Sequence, residues 1–292
     1  MEPDEVEVWV AAVAETPFGC PECVAPRVGM HVRPCLEDVD GDGRLDVFFA
    51  NYGANGLFLQ RQPDRFADAS AAWGIAMDAR WDACAFADWD HDGALDLYVN
   101  GTVTGGRSYP DVLYRQSAGR LVDVTPPSLG LLHAGHGVAW ADVDADGDLD
   151  LALTGVRPDG MHQVMRNDLP DSLRPRSVQV RVLDPRGLAT RSGAEVRVYA
   201  AGTHRLLGMR VVDAGSGYNA QHDLPVHVGV GVAARVDVEV TVPRGGHRLV
   251  AWRRGVEVAA LGRRPLEVRR QGVPGSAARG VTARPCAPPR PS

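Results

Sequence analysis

The sequence predicts an all-β protein: propeller-type blades, three of them recognisable in an incomplete or open propeller, followed by a β-sandwich-like domain. Three observations carry this. An acidic loop recurs three times at a spacing near fifty residues, and apolar strand-like runs flank each copy. The second half alternates apolar and polar residues at period two, with few long 3.6-residue patterns.

Residues 1–29 form an N-terminal segment. Within it "VEVWVAAVAE" (residues 6–15) is apolar and weakly alternating, which suits one extra outer strand of a blade. The same segment holds Cys20-Pro-Glu-Cys23. Zinc there would need two more ligands, for which Cys35 and His31 are near enough in sequence, and a redox motif would want a βαβ context that is absent. A disulfide or plain thiols are the simpler alternatives.

The blade region spans residues 30–170. Its first acidic loop, in "LEDVDGDGRLDVFFAN", places Asp38, Asp40, Asp42 and Asp46 within nine residues, with Gly43 among them. Like charges so close repel unless something holds them. Oxygen ligands at alternate positions around a tight turn suit a hard cation such as Ca²⁺, which takes six to eight oxygens at roughly 2.3–2.6 Å. Side chains at positions 1, 3, 5 and 9 and the carbonyl at position 7, Arg44, form the expected ligand set. Glycine at position 6 reverses the chain cheaply because it tolerates positive φ. An EF-hand is excluded, since its twelfth position holds Phe49 rather than glutamate.

The pattern returns as Asp88, Asp90, Asp92, Gly93, Ala94 (carbonyl) and Asp96. It returns again as Asp142, Asp144, Asp146, Gly147, Asp148 (carbonyl) and Asp150. The first aspartates lie 50 and then 54 residues apart. About three Ca²⁺ sites are therefore expected, each pinning the loop between the first two strands of a blade. Each unit reads as strand, acidic loop, strand, turn, strand, turn, strand, which is one four-stranded blade. Propellers typically close with about four to eight blades. Three imply an open arc, a shortened gene product, or a ring completed by homo-oligomerisation.

Residues 176–270 form the β domain. "SVQVRVL", "AEVRVYA", "LLGMRVV", "RVDVEVTV", "RLVAW" and "VEVAAL" alternate at period two, so one face should be buried. The other face carries Arg181, Arg197, Arg210 and Arg235, which are expected to be exposed. Residues 271–292 are rich in Pro, Gly, Ala and Arg without periodicity and are expected to be disordered, with Cys286 free or intermolecular.

The acidic repeats resemble FG-GAP/VCBS repeats, the calcium-bearing blades also found in integrin α-subunit propellers. "RSGAEVRVYAAG", "LLGMRVVDAGSGYNAQHDLPVHVGVG" and "VDVEVTVPRGG" resemble the ASPIC/UnbV domain. That order of parts is similar to the family of cartilage acidic proteins and UnbV proteins. Val228 stands where the family usually has an aromatic residue. The resemblance implies export to an extracellular or periplasmic compartment, where calcium is plentiful. The start, "MEPDEVEVWV", shows no signal peptide, which leaves a cytoplasmic site open.

Charge divides unevenly. Residues 1–165 hold 27 acids and 10 arginines, net −17; residues 166–292 hold 10 acids and 21 arginines, net +11. Lysine is absent. The arginine-rich half lacks the interleaved aromatics of a nucleic-acid platform, so no nucleic-acid partner is expected. No apolar stretch reaches the 18 residues of a membrane span. None of the common catalytic motifs is present. "GSGYNAQH" places Tyr218, Gln221 and His222 in one polar loop, and His133 and His136 lie beside the third repeat. No nucleophile or acid partners them, so a turn that satisfies backbone groups is the expected role.

Two functions fit. One is a calcium-stabilised, non-enzymatic module presenting blade loops to a protein or glycan. The alternative is an enzyme or accessory factor in specialised metabolism, of the enediyne or polyketide type that the UnbV resemblance implies. There calcium would be structural or would orient a substrate. A concave site beside one ion would separate the two.

Overall fold

The computed structural model describes residues 32–63, 65–75, 78–104, 107–130, 136–156, 161–189, 192–212, 220–222, 225–244 and 247–269. The 6–15 run, the Cys20/Cys23 pair, His31, His133, Tyr218 and the 271–292 tail lie outside these residues.

The architecture is all-β, in two parts. The first blade contains β1 (Val32–Glu37), β2 (Asp46–Ala54), β3 (Gly56–Gln62) and β4 (Arg65–Asp68) as an antiparallel meander. The second contains β5 (Asp78–Ala87), β6 (Asp96–Gly101), a small hairpin of β7 (Val103–Thr104) with β8 (Arg107–Ser108), then β9 (Val112–Ser117) and β10 (Arg120–Asp123). After a short helix, α1 (Pro127–Gly130), the third blade comprises β11 (Gly137–Ala141), β12 (Asp150–Val156) and β13 (Met161–Met165). It thus has three strands among the described residues, against four expected.

The first two blades are not separate sheets. Tyr52, Gly53 and Ala54 at the end of β2 pair with Arg80, Ala79 and Asp78 of β5, giving one curled eight-stranded sheet. Its core is formed by Phe48, Leu57, Leu59, Ile75, Trp81, Phe86 and Leu97, all essentially buried. Phe48 meets Trp81 and Phe86 with ring centroids 6.3 and 6.1 Å apart. Tyr98 and Trp140 bridge the second and third blades at 6.5 Å.

Cys35 of β1 is bonded to Cys84 of β5, with Cα atoms 6.2 Å apart. Cys35 is therefore not a zinc ligand for the Cys20/Cys23 pair. The packing of β1 against β5 brings the two thiols together, and the bond staples the first two blades.

The second part is a sandwich. One sheet orders β17 (Val226–Gly229), β14 (Ser177–Leu183) and β20 (Leu266–Arg269). The other orders β16 (Leu206–Val211), β15 (Glu195–Ala200), β18 (Arg235–Arg244) and β19 (His247–Glu257), with α2 (Val258–Leu261) leading into β20. The alternation in the sequence is realised directly. Val178, Val180 and Val182 of β14 face Val196 and Val198 of β15 and Val236, Val238 and Val240 of β18 in one core.

The opposite face departs from expectation. Arg235 is exposed and pairs with Glu257, but Arg197 and Arg210 are largely covered. Arg210 binds Glu37 at 3.1 Å and the Phe86 carbonyl at 3.2 Å, and Arg197 donates to the Gly43 carbonyl. The alternation was read correctly, but this polar face rests on the blades instead of meeting solvent. Arg181 is half-buried.

Candidate metal centre

Each acidic loop joins the first two strands of its blade: β1 to β2, β5 to β6 and β11 to β12. Local chemistry closes them in the same way. The glycine at position 6 has positive φ in all three: Gly43 at 86°, Gly93 at 94° and Gly147 at 102°. Its N–H donates to the position-1 carboxylate: Gly43 to Asp38 at 2.9 Å, Gly93 to Asp88 at 2.9 Å and Gly147 to Asp142 at 3.2 Å. The position-7 N–H groups of Arg44, Ala94 and Asp148 donate to Asp42, Asp92 and Asp146.

Position 9 ties the loop to the blade. Asp46 accepts from the N–H groups of Val39 and Gln60, each at 2.8 Å. Asp150 accepts from Val143 at 3.0 Å and Asn167 at 2.8 Å. Asp96 accepts from Gln116 at 2.7 Å through one oxygen, while its other oxygen is buried with no hydrogen-bond partner. The partners Gln60, Gln116 and Asn167, in or just after the third strand of the blade, are invisible in the local motif, because they lie fourteen to twenty residues downstream.

The loops bring their side chains together. Asp38, Asp40 and Asp42 each place one oxygen within 4.8 Å of the others, as do Asp88, Asp90 and Asp96, and Asp142, Asp144 and Asp146. Asp92 instead pairs with Arg115 at 3.0 Å. The Asp148 side chain is buried and accepts the Leu169 N–H at 2.8 Å, so only its carbonyl remains a candidate ligand.

Electrostatics show what the arrangement lacks. Arg61 lies 2.6 Å from Asp40, Arg115 lies 2.6 Å from Asp90, and Arg174 lies 2.9 Å from Asp146. These serve the outer positions 3 and 5. The inner carboxylates remain uncompensated. Burial, with the neighbouring carboxylates adding to it, pushes Asp38 and Asp88 up to about 7 and Asp96 up to about 9. Burial also raises Asp46 to about 6. Asp38 Oδ1 is buried without a partner, like the free oxygen of Asp96. Buried carboxylates in this state are neutralised either by a proton or by a cation at their centre. An all-oxygen set with orphaned lone pairs fits a hard divalent cation.

The sandwich packs tightly against the inner end of the second loop. Gly229 of β17 lies so close that a Cβ there would sit 1.5 Å from Asp88 Oδ2 and 3.2 Å from the Gly93 backbone. His91, at position 4 of the loop, is fully buried. Its ring lies 4.8 Å from that of His227, and its Nδ1 is 3.1 Å from the Leu173 carbonyl. Burial lowers both histidines, His227 to about 3, so the pair is neutral. Elsewhere on the interface Gln179 donates to Asp142 at 2.7 Å. His222 accepts the Trp140 N–H at 3.0 Å, the backbone-satisfying role expected of its loop. Gly229, His227 and Gln179 escaped the sequence reading because they are set by packing between distant segments, which leaves no local pattern.

Open blades with acidic strand-joining loops and a valine-rich sandwich docked on them define a class: FG-GAP repeat proteins carrying an ASPIC/UnbV domain. The chain is a protein of this class. The FG-GAP-like repeat model matches residues 38–99 and 102–153, and the ASPIC and UnbV model matches residues 188–252. The chain is homologous to cartilage acidic protein 1, with 30% identity to the human protein over 225 residues, covering 72% of this chain and 32% of that one. The mouse protein is likewise 30% identical and the Xenopus tropicalis protein 29%, each with 33% of its length covered. The chain thus spans about a third of the length of these relatives.

Proposed function

We propose that this chain is a calcium-binding, non-enzymatic module that presents its blade loops to a protein or glycan partner. The observation behind the proposal is the threefold repetition of a carboxylate triad within 4.8 Å, with inner oxygens buried and unpaired in the first two loops. The ligand set proposed is that of the sequence: positions 1, 3, 5 and 9 with the position-7 carbonyl, about three ions in all. Each ion would neutralise a charge cluster and fix the pairing of the two strands that the loop joins.

Calcium is favoured over magnesium. The proposed set offers five protein oxygens per loop, which suits the larger coordination shell of calcium, whereas magnesium demands a tight octahedron and gives up its waters reluctantly. An oxidising, calcium-rich compartment, extracellular or periplasmic, fits the buried Cys35–Cys84 bond. Among the described residues no helix is long and apolar enough to cross a membrane. A second copy would complete the ring by covering the open blade edges. Calcium titration of the metal-free protein by calorimetry tests the proposal; heat of binding for about three ions supports it, and none abandons it.

A further inference from the structure

The third acidic loop differs from the others in what lies beside it. A cleft of about 220 Å³ opens between that loop and the sandwich. It is lined by Asp146 of the loop, by Arg174, Ser177 and Gln179, and by Arg263 and Arg264 in the turn after α2. Arg174 is the hinge of its charge. Its Nη2 lies 2.9 Å from Asp146, its Nε 3.6 Å from Asp148 and its Nη1 3.3 Å from Asp171. That Nε is buried and makes no hydrogen bond, and Asp148 Oδ1 is buried without a partner. Arg263 and Arg264 are exposed, and among the described residues neither pairs with a carboxylate.

Three guanidinium groups thus meet three carboxylates, Asp146, Asp171 and the buried Asp148, in and beside one small space. Asp146 belongs to the loop triad. Once its charge is spent on a cation, its hold on Arg174 weakens and three guanidinium groups face two carboxylates, an excess of one positive charge. Guanidinium forks match carboxylates through paired hydrogen bonds. The Ser177 hydroxyl, the Gln179 carbonyl and the outlying Asp171 carboxylate supply partners for hydroxyl groups. The volume is below the roughly 300–1,000 Å³ of drug-sized sites, which suits a single ring.

We infer that this cleft binds a small hydroxylated carboxylate of the uronic-acid class, and that cation occupancy of the third loop completes the site. The inference rests on the calcium reading of the loops and names the ligand chemistry of one of them.

The test uses the full chain in metal-stripped buffer and in millimolar calcium, with D-glucuronate as probe and D-glucose as its neutral counterpart. Ligand-observed NMR gives the affinity, and elemental analysis of the same samples gives bound calcium. Expected are saturable glucuronate binding in calcium, at least tenfold weaker binding without it, and none for glucose. Arg263→Ala/Arg264→Ala, two exposed changes, should weaken glucuronate about tenfold and leave calcium content unchanged. Arg254→Ala on β19, far from the cleft, should change neither. Bound calcium without glucuronate binding, or binding indifferent to the double substitution, overturns the inference alone. Glucuronate binding with no calcium bound overturns the coupling and the calcium reading together. Absence of both removes both.

Discussion

The first and second acidic loops share a sequence grammar and differ in what covers them. Their outer carboxylates are exposed alike, Asp40 and Asp42 at 16% and 23% and Asp90 and Asp92 at 10% and 34%, and the difference lies at the inner end. The second loop is capped by Gly229, and His91 is buried against His227. Both loops touch the sandwich, the first lightly through Arg197 at the Gly43 carbonyl and the second tightly through Gly229 against Asp88. Local sequence sets the turn and its ligands. What the loop does for the rest of the molecule is set by the surface laid over it.

If the sandwich, and not the blades, makes the two loops different, a change that loosens both blades should affect them equally. Removing the disulfide in Cys35→Ala/Cys84→Ala is the largest such change. Opening a loop of about fifty residues costs about 4 kcal/mol on the chain-entropy account. Denaturant unfolding should show that loss, with calcium affinities of the first two loops shifting together.

Gly229→Ala should separate them. Its Cβ has no room against Asp88, and overpacking at such a contact costs about 3 kcal/mol. Gly41→Ala meets no atom and pays only for its φ of 74°, about 1 kcal/mol. Equal losses from the two variants, measured by thermal melts, would erase the distinction between a tightly and a loosely packed loop.

Calcium itself sharpens the comparison. At millimolar calcium and extracellular-type affinities, each site adds about 0.5–1.5 kcal/mol. Asp40→Ala and Asp90→Ala should each abolish about one site's gain while costing little in metal-free buffer. Calcium should leave the second loop more slowly than the first, because Gly229 and the buried His91 pack tightly around its inner carboxylate. Stopped-flow chelation should therefore show two well-separated rates, and a single rate would count against the cover.

A carboxylate outside the loops gives the smallest effect and the control. Asp237 is buried but accepts N–H groups from Gly202 and Gly255, which hold it below the usual carboxylate range. A depressed group stabilises the fold above its unfolded value, about 3.9, and loses that contribution as pH falls through its folded value. Asp237→Asn should thus lower the melting temperature slightly at pH 7, less at pH 3, and identically with or without calcium.

Much of this was legible in the sequence because it is local. The spacing of Asp38, Asp88 and Asp142 announced the repeat, Gly43, Gly93 and Gly147 announced the turns, and alternating valines announced the sandwich core. What was hidden depends on contacts across long separations. Arg210 looked like a solvent residue because alternation reports which side of a sheet a residue takes, not what lies beyond it. Cys35 looked like a neighbour of Cys23, whereas the packing of β1 against β5, which do not pair, delivers it to Cys84, 49 residues away. Gly229 reads as an ordinary strand glycine until Asp88 is seen against it.

The central claim is that cations, not bare turns, hold the acidic loops closed. Differential scanning calorimetry of the metal-stripped protein, in chelator, in millimolar calcium and in millimolar magnesium, tests it most directly. Three occupied sites should raise the melting temperature by several degrees in calcium, at about 2–4 °C per kcal/mol, with little gain in magnesium. A melting temperature unmoved by calcium or chelator, with no metal found by elemental analysis, would contradict it and return the loops to ordinary Asp/Gly turns.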